Sequence, residues 1–339
     1  MDSRSKVLSI ANRKSAGHTA FWTGNPDAKT VPLYTKAAGV KTLEEVYRAL
    51  NDDCRWIPAD SSWKPPQGKP PFYSDDVPDF SREMHSVGSC FADCENVKDV
   101  EKFPWPDVKY LDFTGVIADI KGFAGKAVFS GFWSCFFNIA GDLFGTENYF
   151  IKMHTDPAVV EAVTERILDY LVAANDLFLK AAGGSFDIFF FGNDLGTQLD
   201  LLISPENFKK FVLPGFKRII GVAKKYGKKV MLHSCGAIYR AIPLLIEAGV
   251  DILHPLQAKA KNMDAASLSQ YKNDLAFCGG IDTQGLLVSG KPDDIRREVD
   301  RVKRLLGPNL IVSPSHEALL PNVPFENIRA MSEEARGLI

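Results

Sequence analysis

His233 and Cys235 close the apolar stretch "KKVMLHSC" (228–235), just before "GAIYRAI" turns toward a helix. In a strand, residues two apart share one face about 7 Å apart along the chain. An imidazole at about 2.0 Å and a thiolate at about 2.3 Å could then hold one zinc ion. The same pair would also suit a buried core histidine and cysteine, and the residues alone leave both readings open. Cys90 and Cys94 flank "FAD" in "GSCFADCEN" and are a further metal candidate, but no second ligand pair accompanies them.

Such a pair needs a scaffold. Short β-rich segments lie at 126–132, 186–194, 228–235, 250–257, 275–282 and 309–316. Helical periodicity fills the spaces between them, as in 156–182, opened by Asp156-Pro157, and 204–227, opened by Ser204-Pro205 and interrupted by Pro214. Strands alternating with helices predict a parallel sheet, and this many units predict an α/β fold of the (β/α)8 TIM-barrel type. The 339 residues read as a single domain, with 1–120 irregular and 121–339 in regular β/α units. The stretch 56–80 holds six prolines and reads as an ordered covering loop or excursion, part of which, within 60–80, could shape the barrel mouth.

Barrel enzymes gather their chemistry at the C-terminal ends of the strands. Here those ends carry Asn193-Asp194, His233 and Cys235, His254 and Gln257, Asp282, and Ser313-Pro-Ser-His316, including half of the six histidines. Aromatic residues in "FSGFWSCFFN" and "FDIFFFGND" stand near the same edge, where Trp133 could wall an apolar ring pocket or simply fill core.

Composition narrows the class. Hydrophobic residues make up 45% and charged residues 24%, an ordinary globular balance, and the formal charge of -2 without a basic stripe argues against nucleic acid. No apolar run is long enough for a bilayer, and six scattered cysteines fit a reducing cytoplasm. No Rossmann or P-loop fingerprint is present; "GGIDTQG" has the glycines without the spacing.

Taken together, "GNDLGTQLDLLISPENFKKFVLP", "HSCGAIYRAIPLLIEAGVDILHPLQ", "FCGGIDTQGLL" and "SPSHEALLPNVPFENIRAM" resemble the uroporphyrinogen decarboxylase superfamily, with weaker similarity back to "GDLFGTENYF". The decarboxylase branch carries an N-terminal arginine-rich signature, whereas 12–26 offers only Arg13 and Lys14. A substrate with many carboxylates needs several such partners. The His-x-Cys motif instead resembles the cobamide-dependent methyltransferase branch. That resemblance implies zinc at His233 and Cys235, with His316 where thiol methyltransferases supply a further cysteine and Gln257 near the usual place of a glutamate. Cys278, about 13 Å deeper on the face of Asp282, competes as third ligand or is a core residue.

The resemblance further implies methyl transfer from a small methylated donor, best a methoxylated aromatic, to the cobalt(I) of a corrinoid on a separate protein. Asp194, His254 and Asp282 are then candidate acids, while Asn193, Gln198, Trp133 and Gln257 are candidate substrate contacts. A thiol methyltransferase of the coenzyme M type, a metal-free decarboxylase and a non-catalytic barrel are the alternatives. A homodimer is left open.

Overall fold

The computed structural model describes residues 1–65, 72 and 90–337. Most of the proline-rich stretch expected as a covering loop therefore lies outside the described residues. Eight parallel strands form one sheet: β1 (Ala20–Phe21), β2 (Cys54–Pro58), β3 (Ala127–Gly131), β4 (Ile188–Gly192), β5 (Lys229–His233), β6 (Ile252–His254), β7 (Ala276–Ile281) and β8 (Leu310–Pro314). The strands neighbour one another in the order β1-β8-β7-β6-β5-β4-β3-β2, a nearly closed (β/α)8 barrel. The six strands expected from the sequence are all present. The first two, β1 and β2, fall inside the stretch expected to be irregular; β1 has two residues, too few to show any period.

Alternation along each strand divides the core in two. Phe129, Ile188, Phe190, Met231, Ile252, Cys278 and Ile311 point into the barrel, while Val128, Phe189, Phe191, Val230, Leu232, Leu253 and Phe277 point out against the helices. The helix Ser3–Ala11 adds Val7, Ile10 and Ala11 to the inner cluster. Around the outside, Pro157–Ala182 buries Val160, Val163, Ile167, Leu171, Ala174 and Phe178 at spacings of three and four, with proline preset at its first position. The next helical stretch widens into a π turn over Phe208–Val212 before Leu213–Lys225, next to the expected interruption at Pro214. No helix among the described residues is long and apolar enough to cross a membrane.

The seam between β1 and β2 is closed largely by carboxylates. The Asp53 N–H donates to the Phe21 carbonyl at 2.9 Å, and the Asp53 side chain accepts the Phe21 N–H at 3.0 Å. Asp52 accepts the N–H groups of Thr23 at 2.6 Å and Cys54 at 2.8 Å. Full burial pushes the Asp52 carboxyl up to about 6, although Arg55 and those donors oppose the rise. An acid with a raised folded pKa binds more protons folded than unfolded, so its contribution to stability falls as pH rises between its two pKa values. Denaturant unfolding across pH 4 to 6 should show wild type losing about 2–3 kcal/mol that Asp52→Asn does not lose. Parallel pH profiles for the two proteins would contradict this.

Candidate functional site

The register of β4, β5 and β6 sets the site. Gly192 lies opposite His233, and His233 opposite His254, so both histidines face inward in one layer at the C-terminal mouth. Gly192 is required there, since a Cβ would stand 2.3 Å from the Trp133 ring. Beyond β5 the chain turns through Gly236 at φ +88°, where a Cβ would meet the Gly196 carbonyl at 2.2 Å. This backbone-on-backbone packing lets the loop after β4 reach the loop after β5. As a result Asp194 accepts the Cys235 N–H at 3.0 Å.

Three donor atoms converge. His233 Nε2 lies 3.3 Å from Cys235 Sγ and 3.5 Å from Asp194 Oδ1, and all three atoms lie within 4.8 Å of one another. A tetrahedral zinc with bonds of about 2.0–2.3 Å sets its donors about 3.3–3.6 Å apart. The residues fit such an ion. His316, expected as a ligand, stands beside this group and not within it: its ring is 6.1 Å from that of His233, its Nδ1 accepts the Ala318 N–H at 3.0 Å, and the neighbouring Cys235 raises its pKa, with the Glu317 charge adding to the rise and burial opposing it.

The electrostatics suit metal loading. Burial would push the Cys235 thiol up, but hydrogen bonds from His233 and His316 hold it below its ordinary value. At His233 burial is again overcome, here by Glu317, Asp194 and Cys235, and the pKa is raised well above normal. Asp194 likewise resists burial through His233 and the Cys235 N–H and stays below the usual carboxylate range. The charges of His233, Asp194 and Cys235 thus favour one another, and a metal binding there would take the place of protons on the thiol and the imidazoles.

Glu317, which the sequence reading passed over, stands behind this set. One of its carboxylate oxygens is 3.3 Å from His233 Nδ1, buried, and without an aligned hydrogen bond among the described residues. The segment that carries it is pinned across the mouth by a two-stranded ribbon, Asn25–Pro26 with Ala318–Leu319, and by the Asn25 N–H donating to the Glu317 carbonyl at 2.7 Å. His254 Nδ1 lies 3.1 Å from His233 Nδ1. His233, His254 and Glu317 make a second, deeper donor group. It lacks a thiolate, and His254 is fully buried, with a pKa driven well below normal by burial and by the neighbouring His233 and His316.

The other expected residues divide by place. Trp133 has its ring 5.1 Å from His233 and lines a cavity of about 520 Å³ with Asp60, Trp63, Phe132, Tyr170 and Asp194. Asn193 also reaches that cavity, but its side chain accepts the Phe137 N–H at 2.9 Å and donates to the Ser134 carbonyl at 3.2 Å, clamping two loops. Gln198 and Gln257 are hydrogen-bonded to each other at 2.9 Å, and Gln257 also accepts the Gly236 N–H. They share a much smaller pocket with Asp282. Asp282 accepts the N–H groups of Gln284, Gly285 and Leu286, bracing the turn that leads into the short helix Leu286–Ser289. Cys278 is buried in the inner core.

Residues 85–338 match the Uroporphyrinogen decarboxylase (URO-D) family. The chain belongs to this family. Among relatives, the methylated-thiol–coenzyme M methyltransferase of Methanosarcina mazei is 26% identical over 242 residues, which is 68% of this chain and 60% of that protein. The match thus spans less than two thirds of that relative's length. A solved methyltransferase structure from Methanosarcina mazei superposes on this URO-D family chain with a TM-score of 0.71, covering 99% of this chain and 98% of the other. Its sequence identity is 14%, so that likeness speaks for the fold, the barrel expected from the strand pattern.

Proposed function

We propose that this URO-D family protein is a zinc-dependent methyltransferase that moves a methyl group from a small aromatic methyl ether to the cobalt(I) of a corrinoid carried by a separate protein. The observation that carries the reading is the convergence of His233 Nε2, Cys235 Sγ and Asp194 Oδ1 beside an aromatic-lined cavity to which Asp194 and Trp133 also belong. Zinc held by His233 and Cys235, with Asp194 or His316 completing the set, would act as a Lewis acid on the ether oxygen. The chain's own residues do the rest. Trp133, Trp63 and Phe132 enclose the ring and exclude water from the breaking bond. Glu317 orients His233 through its far nitrogen. Asp194, held ionised, fits a ligand or acceptor role better than that of an acid.

The methyltransferases among the relatives support methyl transfer over decarboxylation. So does the position of Arg13 and Lys14, exposed before β1 at the end of the barrel opposite the mouth. The test is a turnover assay with zinc-loaded protein, a corrinoid partner in the cobalt(I) state and a panel of methoxylated aromatics, thiols and thioethers. One phenol should be released for each cobalt(I) consumed. Turnover of thiols or thioethers alone would exclude the ether donor and leave a thiol methyltransferase.

A further inference from the structure

The turn that carries Cys235 is held by its neighbours. Four successive N–H groups bond outward from it: Ser234 to the His254 carbonyl at 2.9 Å, Cys235 to Asp194 at 3.0 Å, Gly236 to Gln257 at 2.9 Å and Ala237 to the Thr197 carbonyl at 2.6 Å. Two of these acceptors are side chains, and Asp194 already belongs to the donor group. Gln257 is the other. Its Oε1 takes the buried Gly236 N–H and the Gln198 side-chain N–H, each at 2.9 Å. A backbone N–H can only donate, so the oxygen of the Gln257 amide, and not its nitrogen, must face Gly236.

The backbone that delivers Gln257 is unusual. Leu256, just before it, is buried at φ +58°, in the left-handed region that a residue with a Cβ rarely adopts. The same segment is pressed onto β7. The Gly280 N–H donates to the Pro255 carbonyl at 3.1 Å, and a Cβ on Gly279 would stand 1.8 Å from that oxygen. A bulky residue persists in such a conformation only where its surroundings over-determine it, and such outliers gather at functional sites. The side chain that follows this one meets the turn of Cys235.

We propose that Gln257 is a positioning residue for the metal centre: its Oε1, steadied by Gln198, fixes the direction in which Cys235 presents its sulfur. Each residue has only two soft backbone torsions, so holding the peptide planes on both sides of a Cα fixes where its Cβ points. For Cys235, Asp194 holds the N–H of the plane before it and Gln257 the N–H of the plane after it. The proposal rests on the zinc reading and deepens it, giving Gln257 and Gln198 work at the thiolate instead of contact with the methyl donor.

Cobalt(II) in place of zinc tests it, because a thiolate bonded to cobalt adds a near-ultraviolet charge-transfer band that nitrogen and oxygen ligands do not. Wild type, Gln257→Met, Gln257→Glu and Gln198→Ala are titrated with cobalt(II) and, against a chelator, with zinc, beside thermal melting of each metal-free protein. Gln257→Met keeps the bulk but leaves the Gly236 N–H without its acceptor, and should weaken zinc about 10-fold while shifting or dimming the band. Gln257→Glu still accepts, so it should bind at least as tightly as wild type with the band in place. Gln198→Ala, at the surface, should fall between them, about 3-fold weaker than wild type. A lowered melting temperature in Gln257→Met with zinc affinity and band unchanged would overturn the role of Gln257 at the sulfur and leave the metal centre standing. Equal weakening in Gln257→Met and Gln257→Glu would overturn it too, since the acceptor would not matter. Wild type that binds cobalt(II) without the band would remove the thiolate from the centre, and the zinc reading with it.

Discussion

Cys235→Ala is expected to give a folded protein that no longer retains zinc. The side chain is half-buried at a loop, so truncation leaves little cavity and the barrel core is untouched. What is lost is the sulfur at 3.3 Å from His233 Nε2. Structural zinc binds with roughly 10–16 kcal/mol shared among four ligands, so losing one should weaken binding about 10²–10³-fold. The loss spreads beyond one bond, because the contact with Cys235 is the largest cause of the raised His316 pKa. His233→Ala should behave alike, whereas Cys94→Ala, which belongs to neither donor group, should keep its metal. Metal analysis after gel filtration, beside thermal melting, reads the result. Stoichiometric zinc in purified Cys235→Ala would remove this centre from the mechanism.

Glu317→Gln is the second change with a large expected effect. The amide keeps the shape of the side chain, and the segment is held by its backbone through the Asn25 N–H and the ribbon, so the fold should be unchanged. The variant loses the negative charge 3.3 Å from His233 Nδ1. A carboxylate there keeps the proton on Nδ1, leaves Nε2 as the ligating nitrogen and makes it more basic. Removing such support typically weakens metal affinity about 10–100-fold. Competition against a chelator measures the change directly. Equal zinc affinity in the variant and wild type would make the ion pair incidental to the metal.

These two residues also show what a reader of the sequence can and cannot see. Cys235 was legible because it ends an apolar run, and alternation puts it on one face with His233. Glu317 follows His316 beyond β8, where strand alternation no longer governs direction. It reaches His233 only because a ribbon with Asn25–Pro26, nearly 300 residues away in sequence, bends its segment across the mouth. Asp60 was hidden for a related reason. Its strand, "CRWIP", runs into a proline-rich stretch that reads as loop, so it was not counted among the strand ends. The six strands from β3 to β8 and the helix at 157–182 declared themselves by period, while β1, with two residues and a seam closed by side chains, had none to declare. Residue types at strand ends located the mouth; they did not distinguish groups that face the cavity from those, such as Asn193 and Asp282, that brace loops.

Trp133 stands with one side near His233 and the other on the cavity wall. An indole so placed is a single optical probe wired to two events. Its emission should respond to a metal at His233 and again to a ring entering beside it, so a titration of either ligand will read differently depending on whether the other is already present. Apparent cooperativity in such curves would belong to the reporter before it belonged to the protein, and only titrations run in both orders, paired with a calorimetric measurement, would separate the two.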